Sequence, residues 1–169
     1  MRFAIVGPGK VGTALARLLR RGGYEFVGAA GRSLESAEAA CAFAGGGRAT
    51  TQAEEITRTA DLVLLTVPDD SIEPVCQKLA GSGAFGAGTI VAHCSGALPS
   101  SILRAAADAG AHVGSLHPMQ SFASAEQALR TLPGSACCVE GDPEAVRVLT
   151  DAARALDCHV VAIPTAGKP

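Results

Sequence analysis

Two residues of this sequence could move a proton or hold a reacting group. They are Ser95, in His93-Cys94-Ser95-Gly96, and His117, in Ser115-Leu116-His117-Pro118. An imidazole titrates near neutrality and can pass a proton as a bond is reduced or oxidised. A serine hydroxyl can hydrogen-bond a substrate oxygen or nitrogen. A third group binds rather than reacts: Gly7-Pro8-Gly9-Lys10-Val11-Gly12 is a G-x-G-x-x-G pattern near the N-terminus. Gly7 permits a tight turn, Gly9 lets a pyrophosphate approach the backbone, and Gly12 lets a helix pack close to a strand. The N–H groups of Lys10 and Val11 and the dipole at the helix start favour phosphate charge.

The flanks give the glycine pattern its weight, since 20 glycines are scattered through the chain. Phe3-Ala4-Ile5-Val6 before it is short, apolar and β-prone; Val11, Leu15, Leu18 and Leu19 after it fall on one face of a helix. The chain then alternates. Phe26 to Ala30 reads as a strand and Leu34 to Ala44 as a helix capped by Ser33. Ala49-Thr50 reads as a very short strand and Ala53 to Arg58 as a short helix. Asp61 to Val67 is the clearest strand, continuously apolar and so central. Pro68-Asp69-Asp70 opens a helix to about Ala80, with Asp69 as a structural cap. Thr89 to Cys94 is a strand, Pro99 to Ala109 a helix, and His112 to Leu116 a strand ending in His117-Pro118. Met119 to Leu132 reads as a loop with one helical turn. Ser135 to Val139 is a strand, Pro143 to Leu156 a helix with Asp142 at its N-cap, and His159 to Ile163 a last strand. This is the pattern of a doubly wound α/β domain with a mainly parallel sheet, occupying residues 1–169.

In that fold ligands bind beyond the carboxyl ends of the strands. The unusual residues fall there: the glycine turn, Gly31-Arg32-Ser33, Val67-Pro68, Ser95-Gly96 and His117-Pro118. The second of these bears on cofactor choice. An NAD site places Asp or Glu about 20 residues after the glycine turn, for the ribose 2′-hydroxyl. Here no carboxylate lies between Gly28 and Leu34, and Arg32 and Ser33 can grip and donate to a 2′-phosphate. The expected cofactor is NADP, with NAD second. His93 lies within an apolar strand and reads as a hydrogen-bonded core imidazole.

Bulk properties narrow the classes. Net charge is −2, with no basic stripe for nucleic acid and no charge run for a membrane surface. No apolar run approaches a membrane span, and Phe3 to Val6 is too short for a signal peptide. The six cysteines form no C-x-x-C pair and match no metal spacing, so they read as reduced, mostly buried thiols of a cytoplasmic protein without a metal site. Aromatic content is only 4%, so the core must be built from Ala, Val, Leu and Ile, which suits helices packed closely on both faces of a sheet.

Five segments together carry a resemblance: Ala4 to Gly12, Gly31-Arg32-Ser33, Thr66-Val67-Pro68-Asp69, His93-Cys94-Ser95-Gly96-Ala97, and Ser115-Leu116-His117-Pro118-Met119-Gln120-Ser121-Phe122. They are similar to a family of bacterial Rossmann-like NADP oxidoreductases that pair this domain with a helical C-terminal domain. The wider superfamily holds pyrroline-5-carboxylate reductase, 6-phosphogluconate dehydrogenase and prephenate dehydrogenase. Independently of the resemblance, the position of Val67-Pro68 at a strand end is expected to put them on the nicotinamide side of the cofactor cleft. The resemblance implies that His117 contacts a hydroxyl being oxidised and that Ser95 takes the role of a serine found near its position in the prephenate enzymes. It implies continuation beyond a lysine near Lys168 into helices that complete a small-molecule pocket and a homodimer, so the 169-residue chain alone is expected to lack turnover. Gln120-Ser121-Phe122 replaces the glycine-rich continuation of the prephenate enzymes, which argues against prephenate as substrate. A non-catalytic dinucleotide sensor is the other reading, distinguished by having no need of Ser95 and His117.

Overall fold

The structure, a computed structural model, describes residues 1–164. Lys168 lies outside them. Eight strands form one sheet: β1 (Arg2–Val6), β2 (Glu25–Ala30), β3 (Arg48–Thr50), β4 (Leu62–Leu65), β5 (Ile90–His93), β6 (His112–Pro118), β7 (Ala136–Gly141) and β8 (His159–Ala162). Their spatial order is β3-β2-β1-β4-β5-β6-β7-β8. The first six run parallel; β7 is antiparallel to β6, and β8 is parallel to β7. The mainly parallel doubly wound reading therefore holds, with two reversed strands at one end.

The helices are α1 (Lys10–Arg21), α2 (Leu34–Ala44), α3 (Glu54–Thr57), α4 (Asp69–Gly81), α5 (Arg104–Asp108), α6 (Ala125–Thr131) and α7 (Pro143–Ala155), with a 3-10 turn at Ser100–Leu103 ahead of α5. Strand periodicity of two assigns alternate residues to opposite faces. In β1, Phe3 and Ile5 join the core beneath α1, α2 and α7, while Ala4 and Val6 join the core beneath α3, α4 and α5; Leu62 and Leu64 divide from Val63 and Leu65 in the same way. All eight of these side chains are buried, so a continuous apolar run in sequence is what two covered faces require. No described helix is long and apolar enough to cross a membrane.

Several elements differ from the sequence reading; the strand read over Asp61 to Val67 is confined to Leu62–Leu65. The segment over Pro99 to Ala109 is not one helix, because it begins as the 3-10 turn. Met119 to Leu132 contains seven helical residues of α6, capped where the Ser124 hydroxyl accepts the Gln127 N–H. The seventh strand extends to Gly141 and so includes Glu140. The cysteines are free thiols; Cys41, Cys76, Cys137 and Cys158 are buried. Burial pushes the Cys41 and Cys76 thiols up, and a hydrogen bond with Cys158 joined by burial raises Cys137 further, so these three stay protonated and pack as small apolar groups.

Candidate functional site

The sheet order reverses direction between β1 and β4, where an open α/β sheet offers a crevice. At that junction Gly7 has φ +96°, a conformation that disfavours a Cβ. Its N–H donates to Ala30 O at 2.9 Å, and its carbonyl accepts the Thr66 hydroxyl at 2.6 Å. The turn is thus tied to the ends of both β2 and β4. In sequence Thr66 figures only as part of Thr66-Val67-Pro68-Asp69 and is given no role, because a threonine ending an apolar strand carries no signal of its own.

The three motif glycines do different work. A Cβ on Gly12 would lie 2.7 Å from Gly7 O and 2.8 Å from Ile5 Cγ2, so helix and strand meet here at a distance only glycine allows. A Cβ on Gly9 would meet nothing within 4 Å. Gly9 is the N-cap of α1; no side chain caps that helix and no acid occupies its first turn. An anion can therefore reach free N–H groups at the positive end of a twelve-residue helix. These observations fit a pyrophosphate against the turn. They also set a test within one motif. Gly12→Ala should destabilise by about 1–3 kcal/mol through overpacking, lowering the melting temperature by several degrees. Gly9→Ala should stay within about 1 kcal/mol of wild type, the usual span among N-cap residues. Thermal melts of both variants check this; equal melting temperatures would contradict the assigned roles.

A cavity of about 880 Å³ opens beside the turn. Gly7, Pro8 and Gly9 form one wall, Arg32, Ser33 and Ser36 a second, and Val67 and Pro68 a third. Ser71, Val75, Lys78 and Leu79 close it with one face of α4. Two cations, Arg32 and Lys78, line it and no carboxylate does. Arg32 is exposed and makes no ion pair among the described residues. Ser33 caps α2, its hydroxyl oxygen accepting the Ser36 N–H at 3.3 Å, and Ser36 Oγ donates to Ser33 O at 2.8 Å. Lys10, Val11 and Gly12 do not line the cavity; they form the first turn of α1. Ser36 and Lys78 were missed in the sequence, although the α4 spacing of Ser71, Val75 and Lys78 is the helical period.

Ser95 and His117 do not line this cavity; Ser95 follows β5, and His117 is the penultimate residue of β6. His117 is half-buried, and its Nδ1 lies 3.0 Å from Cys94 O. A carbonyl only accepts, so Nδ1 carries the proton and Nε2 is left with its lone pair. The ring lies against Gly96, where a Cβ would come within 2.6 Å of Nε2. Ser95 is less available than its sequence suggests. Its Oγ donates to Asp69 Oδ2 at 2.9 Å and accepts the N–H groups of Ala97 at 3.1 Å and Leu98 at 3.2 Å. Asp69, in turn, does not cap α4: it is the first residue of that helix, where no side-chain cap forms, and it receives the Ser95 hydroxyl instead. His93 is fully buried and hydrogen-bonded at both ring nitrogens, as read from sequence.

Residues 1–118 match the Rossmann-like domain family. The chain belongs to that family. No curated protein sequence is significantly similar to it. Among solved structures, it is similar to a candidate NADP oxidoreductase from Bacteroides fragilis, with 21% identity, a TM-score of 0.80, and coverage of 98% of this chain and 61% of that one. It is similar to the prephenate dehydrogenase of A. aeolicus, solved with hydroxyphenyl propionate and NAD+, at 17% identity and TM-score 0.78, covering 98% and 60%. A pyrroline-5-carboxylate reductase from Coxiella burnetii gives 19% identity and TM-score 0.72, covering 95% and 58%. The chain thus spans about three fifths of the length of these proteins, and at these identities the likeness is one of fold.

Proposed function

We infer that this Rossmann-like chain is the NADP-binding domain of an oxidoreductase acting on a small hydroxyl, carbonyl or imine compound. The observation that carries the reading is the crevice cavity: a glycine turn and an uncapped helix start on one side, and a lining with Arg32 and Lys78 but no carboxylate on the other. Gly7, Pro8, Gly9 and the first N–H groups of α1 would hold the pyrophosphate. Arg32 and Ser33 would hold the 2′-phosphate, and Val67-Pro68 would border the nicotinamide. When bound, the nicotinamide supplies the hydride. The chain's own contribution to chemistry is His117, whose Nε2 can take or return the substrate proton. Ser95, committed to Asp69 and two backbone N–H groups, positions rather than binds. The names of similar enzymes support the reaction class: an NADP oxidoreductase, a prephenate dehydrogenase and a pyrroline-5-carboxylate reductase.

The second wall of the substrate cleft and a dimer contact are assigned to the part of the longer proteins that this chain does not span. Calorimetric titration of the 169-residue chain tests the reading. It should bind NADPH more tightly than NADH and show negligible turnover with any substrate. Failure to bind either dinucleotide overturns the proposal; robust multiple turnover would overturn only the assignment of the second wall.

A further inference from the structure

The segment from Cys94 to Ser100 is fastened by two buried side chains with no place in the proposed chemistry. His93 closes it end to end. Its Nδ1 accepts the Ser95 N–H at 3.2 Å, which leaves Nε2 as the protonated nitrogen, donating to Pro99 O at 3.3 Å. Glu140, fully buried in β7, takes both the N–H and the hydroxyl of Ser100 at 2.7 Å each. The sheet register joins these groups. His93 is the cross-strand partner of Ser115, and Ser115 is the partner of Glu140, so all three project from one face of the sheet.

The same segment touches the His117 ring twice: Cys94 O is the partner of its Nδ1, and Gly96 lies against the ring. A carboxylate wholly removed from water is a poor stabiliser, because desolvation offsets the attraction it gains. Two short bonds to one residue do supply position. Removing them would free Ser100 and let the segment, with Cys94 O, drift from the imidazole. A neutral imidazole not held this way prefers its proton on Nε2, the nitrogen that must be bare to act as a base.

We propose that Glu140 is a positioning residue for His117. By pinning Ser100 it holds Cys94 O on Nδ1 and keeps Nε2 as the basic nitrogen. The significance of this rests on the proton-transfer role given to His117 above, but the arrangement can be read without any substrate. The 169-residue chain, with four histidines, is labelled with 15N-histidine, and ring-nitrogen correlation spectra are recorded in alkaline solution. A His117→Asn sample assigns the His117 signal. Wild-type His117 should be the Nδ1–H tautomer, with His93 as the opposite tautomer for reference. In Glu140→Ala, His117 should become predominantly Nε2–H. In Ser100→Ala, which loses one of the two bonds and is the gentler change, it should become a mixture. An unmoved Nδ1–H signal in folded Glu140→Ala overturns the proposal. Should that variant not fold, an unmoved signal in Ser100→Ala does so. NADPH affinity, measured on the same samples, should stay at the wild-type value, because neither residue lines the cofactor cavity. Failure of wild-type protein to bind NADPH would overturn the functional reading, whereas an unmoved tautomer overturns this one.

Discussion

In the oxidoreductase proposed above, His117→Asn should lower turnover by about 10²–10⁴-fold, the usual contribution of a positioned acid or base, and leave NADPH affinity within a few-fold of wild type. The two halves of this expectation come from different places in the fold. The cavity beside the glycine turn is built on the ends of β1, β2 and β4, and His117 is not part of its lining. The imidazole stands at the end of β6, beyond β5, with Nδ1 3.0 Å from Cys94 O. Asparagine is polar and no larger than the ring, so it should be tolerated beside Gly96, but it cannot take up a proton at neutral pH. Steady-state kinetics with a cognate substrate, beside an NADPH titration of the same variant, check both halves. Turnover within a few-fold of wild type would mean that His117 does no more than hold the Pro118 end of β6. A parallel loss of NADPH affinity would mean that the two regions are not separable.

Much of the fold was legible because its information is local. Continuous apolar runs such as Leu62–Leu65 are demanded by a sheet covered on both faces, and the strand–glycine–helix sequence at Gly7 to Gly12 is complete within a few residues. What was not legible depends on partners far along the chain. Asp69 follows the local rule for a cap, yet the Ser95 hydroxyl, 26 residues away, takes its carboxylate instead. Glu140 falls just past the strand read as ending at Val139 and is given no role there; its meaning lies in Ser100, 40 residues upstream. The reversal of β7 has no signature in its own composition, since a strand's direction is set by how the preceding connection crosses the sheet. The helix at Ala125–Thr131 is a different case. Its signal was present in Ser124 and Gln127, a serine followed three residues later by glutamine. The Ser124 hydroxyl accepts the Gln127 N–H at 3.1 Å, and Gln127 Oε1 accepts the Ala123 N–H at 2.7 Å. The short apolar face of Ala128 and Leu132 hid it.

Arg32→Ala should weaken NADPH binding by roughly 10- to 150-fold and barely change NADH binding. The magnitude follows from a charge-assisted hydrogen bond of about 1.5–3 kcal/mol, converted at about 1.4 kcal/mol per tenfold. Three features of the site set the direction. Arg32 occupies the end of β2, where an NAD site would present an acid to the ribose. It has no ion-pair partner among the described residues, so its charge is not already neutralised. The cavity it borders holds no carboxylate to oppose a 2′-phosphate. Because Arg32 is exposed, the preference should shrink as salt rises and the Debye length falls. The second cation, Lys78, sits on α4 across the cavity and gives the experiment a comparison. If Arg32 is the group that reads the phosphate, Lys78→Ala should cost less than Arg32→Ala and should not reverse the order of the two cofactors. Calorimetric titration of NADPH and NADH against wild type and both variants, at low and high salt, decides among these. Equal affinities in the wild type, or a preference for NADH, would mean that Arg32 is directed into solvent and that the end of β2 does not discriminate between the cofactors.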